Sequence, residues 1–208
     1  MTEPIPDPTA LPEGAAVRKR PKPGERRVQI LQTLAGMLEQ PGGERITTAA
    51  LAARLAVSEA ALYRHFASKA QMFEGLIDFI EQSVFTLAKQ LQDREPDPLS
   101  RARRLVTMLL QFAEKNPGMA RVMVGDPLVL EHERLQERMN LFFDKFEASL
   151  RQALRETSGA SVTPTADAQV RASLLHSFVL GRLQRFARSG FKRLPTEHLE
   201  PSLACLLA

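Results

Sequence analysis

Apolar residues recur at helical spacing along almost all of this chain, and turn-forming residues cut that periodicity into separate elements. Residues 25–39 place Val28, Leu31, Leu34, Ala35 and Leu38 on one predicted helix face, and Pro41-Gly42-Gly43 ends that helix. Thr47 or Thr48 caps a second helix whose inner face is Leu51, Ala52 and Leu55. Ala56-Val57 forms a turn. Ser58 caps a third helix, with Leu62 and Phe66 inward and Glu59, Ala60, Tyr63 and Arg64 mainly on the opposite side. Ser68 caps a fourth helix from Lys69 to about Gln92, striped by Met72, Phe73, Leu76, Ile77, Ile80, Val84 and Leu87.

Arg94-Glu95-Pro96-Asp97-Pro98 interrupts the helical pattern. Residues 99–115 then give an apolar helix carrying Leu105, Val106, Met108, Leu109, Leu110 and Phe112, which Asn116-Pro117-Gly118 stops. A short helix holds Val122 and Met123. Residues 127–157 read as a long amphipathic helix with Leu135, Met139, Phe142, Phe143, Phe146, Leu150 and Leu154. A loop reaches Pro164, and a last long helix over about 166–189 carries Val170, Leu174, Leu175, Phe178, Val179, Leu183 and Phe186. No segment alternates like a strand. The predicted fold class is all-α.

Four stretches follow from these breaks: an arm at 1–24, a helix-turn-helix unit at 25–70, a connecting helix at 71–95 and a second helical part at 96–208. The arm holds six prolines without apolar periodicity and reads as disordered and partly extended. Its basic end, Arg18-Lys19-Arg20-Pro21-Lys22, suits either a solvated tail or an arm that follows a DNA backbone.

Charge sharpens the picture. The chain carries a net charge of +4, but residues 18–70 alone carry +6 and residues 71–95 carry −3. The positive charge therefore lies on the helix-turn-helix, the segment whose outer helix is shaped to enter a DNA groove. Glu74, Asp78 and Glu81 point away from DNA contact and are compatible with a different partner. Between Asp167 and Glu197 no acid occurs among Arg171, Arg182, Arg185, Arg188, Lys192 and Arg193, either a solvated basic face or an electrostatic guide.

The single cysteine, Cys205, excludes an internal disulfide and fits a reducing compartment. No apolar stretch is long enough to span a bilayer, so no membrane segment is expected, and the expected location is cytoplasmic. Catalysis has little support: there is no phosphate-cradling glycine loop and no H-E-x-x-H or G-x-S-x-G arrangement. Glu131-His132-Glu133 is a poor metal set because adjacent residues on a helix diverge. No cofactor or metal is expected. Met108, Met119, Met123 and Met139 either line a ligand pocket or fill core gaps.

At the helix-turn-helix each residue type has a chemical role. Arg64 can fork onto a guanine edge, and Glu59 can accept from cytosine. Ala60 and Ala61 permit close approach and offer methyls to thymine. Tyr63, His65 and Lys69 suit phosphates, which fix register rather than sequence. Thr47, Thr48 and Ser58, at two helix starts, complete the DNA-facing set.

V-S-E-A-A-L-Y-R-H-F-A-S-K-A-Q-M-F, and above all L-Y-x-H-F-x-x-K within it, resembles the TetR family of bacterial DNA-binding proteins. The resemblance implies a TetR-like fold: an N-terminal three-helix helix-turn-helix domain and a C-terminal helical dimerisation domain, with the third helix in the groove. Ala56 stands where many members have Gly. Because a left-handed alanine is costly, a differently shaped turn is expected there.

Matches outside that motif, at R-I-T-T-A-x-L-A-A, at 116–118, 134–140 and 185–192, resemble a branch of the family that acts in nucleoid occlusion. That likeness implies a homodimer on palindromic double-stranded DNA that also engages the tubulin-like protein FtsZ and disrupts its polymers. Phe79, Lys115 and Asn116 occupy matching positions of the implied FtsZ surface, whereas Leu87, Met108 and Gln111 depart from it. The last long helix is expected to pair with its copy through Leu174, Leu175, Phe178 and Gly181. The alternative is a TetR-type repressor released by a small-molecule effector.

Overall fold

Short polar side chains fix where the second, third and fourth helices begin. A computed structural model of the protein describes residues 24–40, 46–126, 132–156 and 164–208. Among them, α1 spans Glu25–Leu38, α2 Thr48–Arg54, α3 Glu59–Tyr63 and α4 Lys69–Arg94. Thr47 Oγ1 accepts from the Ala50 amide at 3.1 Å, Ser58 Oγ from Ala61 at 3.3 Å and Ser68 Oγ from Gln71 at 3.2 Å. Each bond satisfies an amide that its helix leaves unpaired. Thr47, rather than Thr48, is thus the cap of α2. The proline-rich arm, Pro41-Gly42-Gly43 and most of the 158–164 loop lie outside the described residues.

Beyond the Glu95-Pro96-Asp97 break lie α5 (Pro98–Lys115), α6 (Pro117–Met123), α7 (Glu133–Arg155), α8 (Pro164–Arg188) and α9 (Leu199–Leu206). Asp97 caps α5 by accepting from Ser100, and that bonding holds its carboxyl below the usual range. The helix expected over 127–157 is described from Glu133 onward, and residues 127–131 are not described. No strand occurs among the described residues. The fold is all-α, as the periodicity predicts.

α9 has no counterpart in the sequence reading. It buries only Leu199 and Leu203, too short a run to establish a period. Its Pro201 lies in the first turn, where a missing N–H is tolerated.

One apolar core runs from Ile30 to Leu207, and α7 against α8 is its most extensive helix pair. All seven predicted residues of the α7 stripe are buried. The stripe of α1 is rotated from expectation: Val28 is 53% exposed and Ile30 is fully buried, because Ile30, Leu34 and Leu38 form the inward row. Leu87 likewise leaves the α4 stripe and is exposed.

α4 ties the two halves together. It packs on α1 within the N-terminal unit and on α5, α6 and α7 beyond it. Arg134 pairs with Glu74 at 3.0 Å, and Arg138 pairs with Asp78 and with Glu81 (2.9 Å to Glu81). Burial pulls the Arg138 guanidinium down, but its bonds to the two carboxylates outweigh this and raise it. Glu74, Asp78 and Glu81 are therefore occupied by α7 and are not the free partner-facing acids that composition suggested. α6 meets α1 at Gly118, where a Cβ would stand 2.1 Å from the Ala35 carbonyl oxygen. Arg121 of α6 donates to the Gln40 carbonyl at 3.2 Å.

Candidate nucleic-acid interface and partner surface

The turn between α2 and α3 sets the angle at which α3 leaves the body. Ala56 sits there at φ 52, in the left-handed region. Its amide donates to Ala53 at 3.1 Å and that of Val57 to Ala52 at 3.0 Å, the paired bonds of a Schellman closure. The expected reshaping of this turn does not occur. Two closing bonds hold the backbone in place, and the alanine takes the strain.

α3 then buries Leu62 and, just beyond it, Phe66, each 1% exposed. The opposite side presents Ser58, Glu59, Ala60, Tyr63 and Arg64 to solvent, while Ala61, His65 and Lys69 are half-buried at its margins. The structure brings these residues to one surface. Thr47 is exposed and Thr48 half-buried at the start of α2. Thr48 Oγ1 donates to Glu59 Oε2 at 2.5 Å, which links the first turns of α2 and α3. One Glu59 oxygen is thus engaged. Lys69 lies with its ammonium 5.8 Å from the Phe73 ring centroid, at the first turn of α4.

Arg27 of α1 belongs to this constellation, and the sequence reading missed it. It reaches His65 and Phe66 across 38 residues of sequence, a distance no periodicity encodes.

A second surface lies on α4 and α5. Phe79 is 48% exposed, with its ring centroid 6.5 Å from that of Phe112. Asn116 Nδ2 donates to the Phe112 carbonyl at 2.7 Å, and Lys115 beside it is exposed. The three predicted partner residues thus lie near one aromatic pair. Along the same two helices runs an open groove of about 510 Å³, lined in part by Leu87, Leu91, Met108, Gln111, Arg94 and Arg104. The three positions that depart from the implied partner surface all line it. Met119, Met123 and Met139 are buried in the core, so the four methionines do not share a cavity.

A third surface is the outer side of α8. Leu174 is 52% exposed, Phe178 is half-buried under the Arg182 guanidinium, and a Cβ added to Gly181 would meet nothing within 4 Å. Leu175 is fully buried within its own protomer and leaves the set expected to face a copy. Exposed Val170, one turn before Leu174 on α8, extends the apolar surface instead. Burial, reinforced by neighbouring Arg185, lowers the Arg182 guanidinium. Arg182 bonds the Glu197 carbonyl and Ser202, and Arg185 pairs with Glu197. Much of this basic segment is thus tied down internally.

Among the described residues no group of three acids, histidines or cysteines is placed to hold a metal. No described helix is long and apolar enough to cross a membrane.

Comparisons with known proteins agree with these features. Residues 30–76 match the family of bacterial regulatory proteins called tetR, and residues 96–207 match the SlmA-like form of the tetracyclin repressor-like C-terminal domain. A TetR-family transcriptional regulator from Bordetella parapertussis shares the fold at a TM-score of 0.71 and 18% identity, covering 88% of this chain and 95% of that one. The fatty acid degradation regulator FadR from Bacillus halodurans gives 0.69 at 16% identity, covering 90% and 97%. The nucleoid occlusion factor SlmA of Idiomarina loihiensis is 53% identical over 174 residues, 83% of this chain and 89% of that protein. SlmA of Vibrio cholerae is 50% identical over 187 residues, 88% and 94%.

The helix-turn-helix on an all-α body defines a TetR-type DNA-binding protein. Within that class, the chain belongs to the SlmA family of nucleoid occlusion factors.

Proposed function

We propose that this protein binds palindromic chromosomal sites as a homodimer and, when bound, engages FtsZ and disrupts its polymers, so that division is kept off the nucleoid. α3 enters the major groove. Arg64 and Glu59 read base edges, Ala60 and Ala61 allow close approach, and Tyr63, His65, Lys69, Thr47, Thr48 and Ser58 hold the backbone. α8 pairs with its copy through Leu174, Phe178 and Gly181, joined by Val170.

The observation that carries the FtsZ step is the exposed Phe79 ring beside Phe112. A large aromatic left half in water, on the same two helices as a groove that mixes Leu87, Leu91 and Met108 with arginines and with Glu95 and Glu200, is the form of a protein-docking surface. Glu74, Asp78 and Glu81 of α4 are paired with arginines of α7. Arg94 and Lys115 suit a partner segment that mixes apolar and acidic residues, whereas Arg104 is already paired with Glu95 at 2.9 Å.

The test is sedimentation of FtsZ polymers with GTP, with and without chromosomal fragments that the protein has itself enriched. Polymer loss that depends on those fragments supports the proposal. Unchanged polymer, with DNA bound, leaves a repressor whose effector is then to be sought.

A further inference from the structure

α3 has only five residues, too few to hold its own orientation by backbone bonds. The carbonyls that follow it, up to that of His65, have no partner within the helix. α1 supplies one. Arg27 Nη1 donates to the His65 carbonyl oxygen at 2.6 Å, and the same guanidinium lies 4.1 Å from the centroid of the Phe66 ring. A planar guanidinium can stack and donate at once. Its positive charge also complements the carbonyl end of the helix. From the other side, Gln71 Oε1 accepts from the Ala67 amide at 2.8 Å, while the Gln71 amide donates to Ser68. The link between α3 and α4 is thus gripped by α1 and by α4, and it carries Arg64 and His65 at one end and Lys69 at the other.

We infer that Arg27 is a positioning residue for DNA recognition: it clamps the C-terminal turn of α3 onto α1 and aims Arg64 and His65, without itself contacting base or phosphate. This rests on the reading of α3 as the helix that enters the groove. Loss of the clamp releases the orientation of α3. Sequence-specific binding then suffers more than binding to arbitrary DNA, which depends on charge.

The full chain is titrated onto two duplexes of equal length, one enriched from chromosomal fragments by the protein itself and one of random sequence. Arg27→Ala is expected to weaken binding to the enriched duplex about tenfold, and to the random duplex far less. The slope of log affinity against log salt should not change. Arg27→Lys, which keeps a cationic donor near the carbonyl and the ring, should recover most of the loss. Arg27→Gln is judged by the same criteria should the alanine protein fail to fold.

Unchanged affinity for the enriched duplex would overturn the clamp. So would equal losses on both duplexes with a slope smaller by about 0.9, the mark of a lost phosphate contact. Arg64→Ala, run alongside, separates the two levels. If it leaves the sequence preference intact, the reading of α3 fails and the clamp with it. If it blurs the preference while Arg27→Ala does nothing, the clamp alone fails.

Discussion

Ala56, like Phe191 and His198, is a non-glycine residue with a left-handed backbone. A left-handed alanine costs about 1–2 kcal/mol, yet the two bonds that close α2 keep it there. Ala56→Gly is expected to stabilise the protein by about 0.5–1 kcal/mol once the extra freedom of unfolded glycine is subtracted. A higher melting temperature with unchanged DNA preference is the result to look for. Arg64 is exposed on the same unit, and Arg64→Ala should weaken specific DNA binding by about 1–3 kcal/mol and blur the preferred sequence. Selection of sites by the variant protein checks both effects. Features of this size were legible in the sequence when they were local. Thr47, Ser58 and Ser68 each bond an amide three residues on. The Thr48–Glu59 and Arg27–His65 bonds were not, because they join helices whose packing decides the distance.

Helices meet here under constraints that differ sharply from one contact to the next. At Gly118, α6 lies so close to α1 that an added Cβ would overlap the Ala35 carbonyl, with backbone on both sides and no side chain to yield. Gly118→Ala is therefore expected to cost about 1–3 kcal/mol and to lower the urea midpoint. Gly36, in the last turn of α1, is the control. Its Cβ would meet nothing within 4 Å, so Gly36→Ala should stabilise by up to about 1 kcal/mol through helix propensity alone. Neither neighbourhood is written in the sequence, where both are simply glycines in apolar company. The α7 stripe was fully legible because one face does all the burying. α8 was not, since Leu175 and Val179 face the core while Val170 and Leu174 face out, and one apolar period cannot say which is which. The acids of α4 misled for the same reason: their partners, Arg134 and Arg138, lie about sixty residues away.

The DNA surface and the docking surface proposed above lie on one body, and the two should be separable. Phe79→Ala is expected to leave DNA affinity unchanged and to abolish the effect on FtsZ polymer, read by sedimentation. Retained inhibition would move the docking surface elsewhere. The all-α architecture and the helix-turn-helix were legible in full, since both rest on spacing. The exposure of Phe79 was not legible, because it sits at the edge of a core stripe and nothing in its spacing declares it exposed. α4 runs unbroken from Lys69 to Arg94, braced by α7, with Phe79 ten residues beyond Lys69. That is about 15 Å along the axis. At physiological ionic strength the screening length is about 8 Å, so a partner at Phe79 feels only a remnant of the phosphates' field. In dilute buffer, near 0.01 M, the length grows to about 30 Å and envelops both ends of the helix. An acidic partner is then pushed away by the very duplex that recruits the protein, so salt that loosens the grip on DNA eases the partner's approach.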